Sequence, residues 1–377
     1  MNFTDSLQSL ATGQKQIYEV IQLWNYKDKS KADDIESAII RGIQRACAKS
    51  GIHLEKYPVF MPFRDSDEED IVIEDKGKFI YDADIERLNY KTFGLMGFSD
   101  GLAKDSGAFF EFGRGVSLNL PTILFVSDFF YFSNRYKDWD TRNKEILTYY
   151  VDPIIQASLG KVLVSNELPV VYKTLLSNSD VFDLHIKKKK QFIGRLNKGF
   201  EILISKIENI TSSFVLNPQN FIIPIPPRNV TDKYVYLEFE GISEWQNEKM
   251  AYISKQLNKY NIEVKIPDRF KTEKQIQYNN RYGQEALKYL GLHDFEKAIN
   301  ASLIVTCAEG WDISIGPAYV HGIASGYNIP TILYCSNNRQ FNAKGGTETI
   351  VNLMIEYSSD KIVSSTNELI DTIISIF

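Results

Sequence analysis

The chain has 377 residues, 24% of them charged, with 43 basic against 48 acidic side chains and a formal net charge of -5. That length holds two ordinary domains, each with a sizeable core, and the mildly acidic balance argues against a general nucleic-acid-binding surface. Cys47, Cys307 and Cys335 stand far apart, with no CxxC pair and no Cys/His cluster at zinc-ligand spacing, which predicts reduced core thiols and no metal centre.

Met1-Asn2-Phe3-Thr4-Asp5 lacks the basic start and apolar run of a secretory leader, and no stretch is apolar for long enough to span a bilayer. A cytoplasmic protein without a membrane partner is expected. Residues 1–15 read as polar and frayed. Ile17 to Leu23 reads as a first strand, and Ala32 to Ser50 as a helix with Ile35, Ile39, Ile43 and Ala46 on one face. Gly51 closes that helix and Ile52 to Pro58 resumes a strand. Arg64 to Lys78 is rich in carboxylates, but lacks the glycine and terminal glutamate of a calcium loop and reads as a solvated loop. Tyr81 to Lys91 reads as a helix containing Asp84, and Thr92 to Phe98 as a buried strand.

Asp105-Ser106-Gly107 then leads into a short helix whose first turn carries Glu111, and Asn119-Leu120-Pro121 ends it and opens the strand Pro121 to Ser127. A helix N-terminus favours an ionised carboxylate, which suits Glu111 to the role of nucleophile or cation stabiliser; Glu is also simply welcome in a first turn. A helix from about Thr141 to Ala157 and a strand Lys161 to Ser165 follow. Alternating strands and helices imply a parallel sheet covered on both faces. Residues 169–230 break the pattern: His185 to Ile210 reads as a basic helix, with Lys187 to Lys190 spread all round it as a solvated linker, and Asn217 to Arg228 is punctuated by proline.

The pattern then starts again. Asn119-Leu120-Pro121-Thr122-Ile123 is echoed by Asn328-Ile329-Pro330-Thr331-Ile332, and the strand ending Ser165-Asn166-Glu167-Leu168 by the one ending Thr366-Asn367-Glu368-Leu369. Ile52 to Pro58 resembles Ile262 to Pro267, and Asp84 before its strand resembles Asp294 before Ser302 to Cys307. The offset stays at about 200 to 210 positions, which marks a duplication. The chain divides into 1–168, a helical linker 169–230 and a second copy 231–377.

In the first copy, Asp84, Asp105 and Glu111 fall where an α/β sheet presents ligands, at the carboxyl edge. Three carboxylates at one cleft can divide between nucleophile and proton donor, the chemistry of breaking a glycosidic bond. The series from Asp84 through Asp105-Ser106-Gly107-Ala108-Phe109-Phe110-Glu111-Phe112-Gly113 to Leu120-Pro121-Thr122-Ile123 resembles the nucleoside 2-deoxyribosyltransferase family. The resemblance implies two tandem flavodoxin-like, Rossmann-like α/β domains with parallel sheets. It implies Glu111 as the nucleophile on C1 of the sugar, Asp84 and Asp105 as groups that contact and protonate the base, and Gly107 and Gly113 as points of close backbone approach to the ligand. It calls for no cofactor. Members of the family are similar in forming oligomers with shared sites, so the duplication predicts an intramolecular pseudo-dimer or a homo-oligomer.

Trp24 and Tyr26 are candidates for stacking on a base or for the core. In the second copy Val320 stands at the place of Glu111, which predicts a non-catalytic partner, although Asp294, Trp311 and Asp312 could line a ligand pocket. The expected activity is cleavage of the N-glycosidic bond of a nucleoside, a nucleotide or a related cofactor, by transfer or by hydrolysis. NAD glycohydrolysis is a variant of it, and a nucleotide sensor without turnover is the rival.

Overall fold

The computed structural model describes residues 3–21, 26–65, 75–99, 105–126, 151–164, 201–202, 204–239, 244–308, 313–336, 341–342 and 348–377. The front half runs α1 (Phe3–Ala11), β1 (Gln16–Ile21), α2 (Tyr26–Lys49), β2 (Val59–Phe60), the single turn α3 (Pro62–Asp65), α4 (Lys76–Tyr90), β3 (Thr92–Ser99), α5 (Ser106–Ser117), β4 (Thr122–Val126), α6 (Pro153–Ser158) and β5 (Lys161–Val164). A further helix, α7, covers 204–216. The strands pair in parallel in the order β2-β1-β3-β4-β5. β3 and β4 are buried along their whole length, because helices cover both faces of the sheet; this is why they read as unbroken apolar runs.

The rear half runs β6 (Tyr234–Glu238), α8 (Glu244–Asn258), β7 (Glu263–Lys265), α9 (Thr272–Tyr282), α10 (Ala286–Ile299), β8 (Leu303–Cys307), α11 (Ile315–Tyr327) and β9 (Thr331–Tyr334). An antiparallel pair, β10 (Phe341–Asn342) and β11 (Glu348–Thr349), precedes α12 (Leu353–Ser358), β12 (Lys361–Val363) and α13 (Thr366–Ile376). Its parallel sheet has the order β7-β6-β8-β9-β12, strand for strand the order of the front. Two such sheets with interleaved helices make two flavodoxin-like, Rossmann-like α/β domains. The register fixes the correspondence of residues. Thr122 and Thr331 pair with Leu95 and Ile304, which pair in turn with Tyr18 and Tyr236. Through β2 and β7, Pro62 and Arg64 then match Pro267 and Arg269.

The helices between the two sheets form one shared core. It joins Tyr18, Leu88, Phe110, Phe112 and Ile154 of the front to Tyr236, Phe295, Tyr319, Val320 and Met354 of the rear. α5 crosses α11, α6 lies on α10, and α12 lies on α4, an exchange that is reciprocal under a pseudo-twofold axis. The crossing is close because of two matched glycines: a β-carbon on Gly113 would stand 2.0 Å from the Tyr319 carbonyl oxygen, and one on Gly322 2.0 Å from that of Phe110. Outer layers complete each sheet, α1, α2 and α7 in front, α8 and α13 behind. No helix among the described residues is long and apolar enough to cross a membrane, and the three cysteines are buried without a disulfide.

Several expectations need correction. Residues 1–15 are not frayed, since Leu7, Leu10 and Ala11 recur at helical spacing and pack into the outer core. The second strand is Val59–Phe60 rather than 52–58, so the repeat aligns Pro62, not Pro58, with Pro267. α4 begins at Lys76, capped by Asp75 at the end of the acidic stretch. The helix expected from Thr141 to Ala157 cannot run unbroken: Asp152, in an extended conformation, caps the main-chain N–H of Ile154, and Pro153 opens a fresh helix. The stretch 169–230 is not a solvated linker throughout. Its lysine run lies outside the described residues, but α7 buries Ile207, Phe214 and Val215 against the front sheet. A β-carbon on Gly42 of α2 would stand 2.6 Å from the Glu208 carbonyl oxygen, and Arg41 Nε lies 3.0 Å from the Glu208 carboxylate. The front domain therefore extends past 168 to about 221, where Phe221 joins the same core.

Candidate active site

In the front copy, β3 ends at Ser99 and α5 begins at Ser106. Asp105 is its N-cap: the carboxylate accepts from the main-chain N–H of Gly107 at 2.9 Å and of Ala108 at 3.3 Å. Glu111 lies in the second turn of α5, not the first, so it stands beyond the reach of the helix N-terminus on which its ionisation was expected to depend. A phenol takes that place. Tyr18 of β1, itself fully buried, donates a 2.7 Å hydrogen bond to Glu111 Oε1, and Glu111 as a residue is 7% exposed. Asp84 lies on the buried face of α4 with Gly77, Ile80 and Leu88, where the helix packs on β3 and α5.

The rear copy contributes to this edge. Asn352, the N-cap of α12, places its Nδ2 3.4 Å from Asp105 Oδ1, and a β-carbon on Gly107 would stand 2.7 Å from that same nitrogen. Gly107 thus makes room for a side chain of the other copy, and Gly113 for the main chain of α11. Trp24, Trp311 and Asp312 lie outside the described residues, as does the surface of Tyr26, which opens α2. Tyr18 and Asn352 escaped the sequence reading. The signal for both is the repeat itself: Val151-Asp152 is echoed by Val351-Asn352 at the usual offset, and the strand register sets Tyr18 against Tyr236.

The matching edge of the rear copy is filled. Val320 stands buried where Glu111 stands in front. Asp294, expected to line a pocket, is fully buried and saturated: it accepts from the main-chain N–H of Asp268 and Arg269 at 2.9 to 3.0 Å, from Arg269 Nη1 at 3.4 Å and from Lys297 Nζ at 3.0 Å. A ligand would have to displace these partners, so Asp294 is a structural anchor. Burial pushes the Glu238 carboxyl up to about 7, against the pull of the adjoining Arg269. Among the described residues no group of three or more His, Cys, Asp or Glu is placed to hold a metal ion.

No family model and no curated protein matches the chain. Among solved structures it is similar to a conserved protein from Enterococcus faecalis V583, at 18% identity over 38% of this chain and 99% of that chain, with a TM-score of 0.31.

Proposed function

We propose that the front copy cleaves an N-glycosidic bond of a nucleoside, a nucleotide or a related cofactor, with Glu111 as the nucleophile. The observation that carries this reading is the buried Tyr18–Glu111 hydrogen bond under the carboxyl edge of a parallel sheet, in the one copy of the repeat that has the glutamate. Tyr18 fixes the rotamer through Oε1, and Oε2 is assigned to the attack. A bond forms from Oε2 to C1 of the sugar as the C1–N bond breaks, and its electron pair leaves with the base. Asp84, buried on α4, is the acid assigned to the departing nitrogen. Asp105 is assigned a positioning role instead, because two main-chain N–H groups hold its carboxylate at the start of α5. A second base or a water molecule then attacks C1 and releases Glu111, giving transfer or hydrolysis.

The test is to incubate the full chain with a panel of nucleosides, nucleotides and NAD and to follow free base by chromatography. Release is expected from at least one member and should fall by about a thousandfold or more in Glu111→Gln, which retains the hydrogen-bonding shape but cannot form the ester. Release that survives this substitution would remove Glu111 from the mechanism.

A further inference from the structure

Arg269 has no part in the chemistry proposed above, yet its side chain is completely buried. Three carboxylates from three elements converge on its guanidinium. Asp152, at the start of α6 in the front copy, accepts from Nε at 2.7 Å and from Nη2 at 3.2 Å. Glu238, at the end of β6, accepts from Nη2 at 2.5 Å and from Nη1 at 3.2 Å, and Asp294 of α10 from Nη1 at 3.4 Å. All three guanidinium nitrogens are engaged, in the planar forked geometry that suits arginine and not lysine. Room for the fork comes from Gly316, where a β-carbon would stand 2.3 Å from Asp152 Oδ2 and 3.1 Å from Arg269 Nη2.

The pseudo-twofold axis gives the cluster its meaning. Tyr236, Asp294, Gly316 and Asp152 occupy in the rear copy the positions of Tyr18, Asp84, Gly107 and Asn352 in the front. The guanidinium therefore sits at the sheet edge where the front copy has its candidate site. The front counterpart behaves differently: Arg64 is turned outward to Glu36 at 2.6 Å and Asp65 at 2.7 Å and is partly exposed. An isolated cation would not be carried into such an interior, since desolvation costs several kcal/mol unless partners are already in place.

We propose that the rear site is already liganded: the Arg269 guanidinium occupies it as an internal cation, and vacating it leaves a receptor for a small planar guanidinium or amidinium ion rather than for a nucleoside. The rear copy is on this view a clasp. Its ligand ties Asp152 of the front to β6 and α10 of the rear, and so holds the two copies in the arrangement that brings Asn352 to Asp105.

The experiment is thermal unfolding of full-length Arg269→Gly in methylguanidinium chloride, against equal concentrations of sodium chloride and methylammonium chloride, with the wild type alongside. The variant should unfold about 5–10 °C below the wild type, and millimolar methylguanidinium should restore several degrees saturably while the two control salts and the wild type show no such rise. A folded variant that responds to methylguanidinium no more than to the controls overturns the proposal. Should the variant fail to fold, the arginine side-chain nitrogen spectrum of the wild type, assigned through the backbone, decides. The Arg269 Nε–H signal should exchange slowly with water and stay in place at saturating nucleoside, nucleotide or NAD; its displacement by any of them overturns the proposal. Neither readout depends on Glu111, so failure of the catalytic reading leaves both unchanged.

Discussion

Glu19 is fully buried in the middle of β1, and neither oxygen has a hydrogen-bond partner among the described residues. Burial, followed by the nearby Glu36, pushes its pKa well above the ordinary carboxylate value. A raised acid stabilises the fold below its unfolded pKa and loses that contribution as pH rises through the folded one. The rear copy has Leu237 at the matching position. Glu19→Leu should therefore stabilise the protein by about 1–3 kcal/mol at neutral pH, seen as a higher urea midpoint with unchanged slope. A lower midpoint would mean that the carboxyl group serves a purpose.

Two other buried groups act on stability with opposite sign. Glu238, at about 7 against an ordinary 4.5, favours the folded state below pH 4.5 and loses this as pH rises to 7. Burial lowers His321 from 6.5 to about 4, so its contribution is complete above pH 6.5 and is lost as pH falls towards 4. Each amounts to about 3 kcal/mol, and over pH 5 to 6.5 they offset. Urea unfolding at pH 5, 6 and 7 should show Glu238→Gln losing stability on acidification and His321→Gln losing it on alkalinisation. Parallel profiles for the two variants would refute this assignment.

At the scale of elements, the α5–α11 crossing decides most. Ala is favoured over Gly by about 1 kcal/mol in an exposed helix, but at residue 113 the added carbon would strike the main chain of α11. Gly113→Ala should destabilise by about 2–4 kcal/mol on denaturant titration, with Gly322→Ala similar by symmetry. Next to Gly113 on α5, buried Arg114 pairs with no carboxylate among the described residues. It donates to Ser325 at 2.6 Å and Asn89 at 3.0 Å, in the last turns of α11 and α4. The negative ends of three helices converge on it, which accounts for a buried cation without a counter-ion.

The molecule as a whole is a dimer written into one chain. The front copy cut at 221 would bare the apolar faces of α4, α5 and α6, including Phe110, Val116 and Ile154. Residues 1–221 alone should self-associate or aggregate, which sedimentation would reveal; a stable monomer would show that the shared core is dispensable. Period and repetition were legible in the sequence: the apolar runs of β3, β4, β8 and β9, the Asn-x-Pro-Thr-Ile echo and the loss of the glutamate at Val320 are local patterns. From these the fold class and the duplication follow, because covered parallel strands and copied segments leave their mark residue by residue. The partners did not. Tyr18 beneath Glu111, Asn352 beside Asp105 and Arg269 against Asp152 join residues roughly one hundred to two hundred and fifty positions apart. Folding within the front copy brings Tyr18 to Glu111, and the packing of one copy on the other brings Asn352 to Asp105 and Arg269 to Asp152, so the tertiary structure alone decided that the rear edge is closed on a buried guanidinium while the front edge carries Glu111.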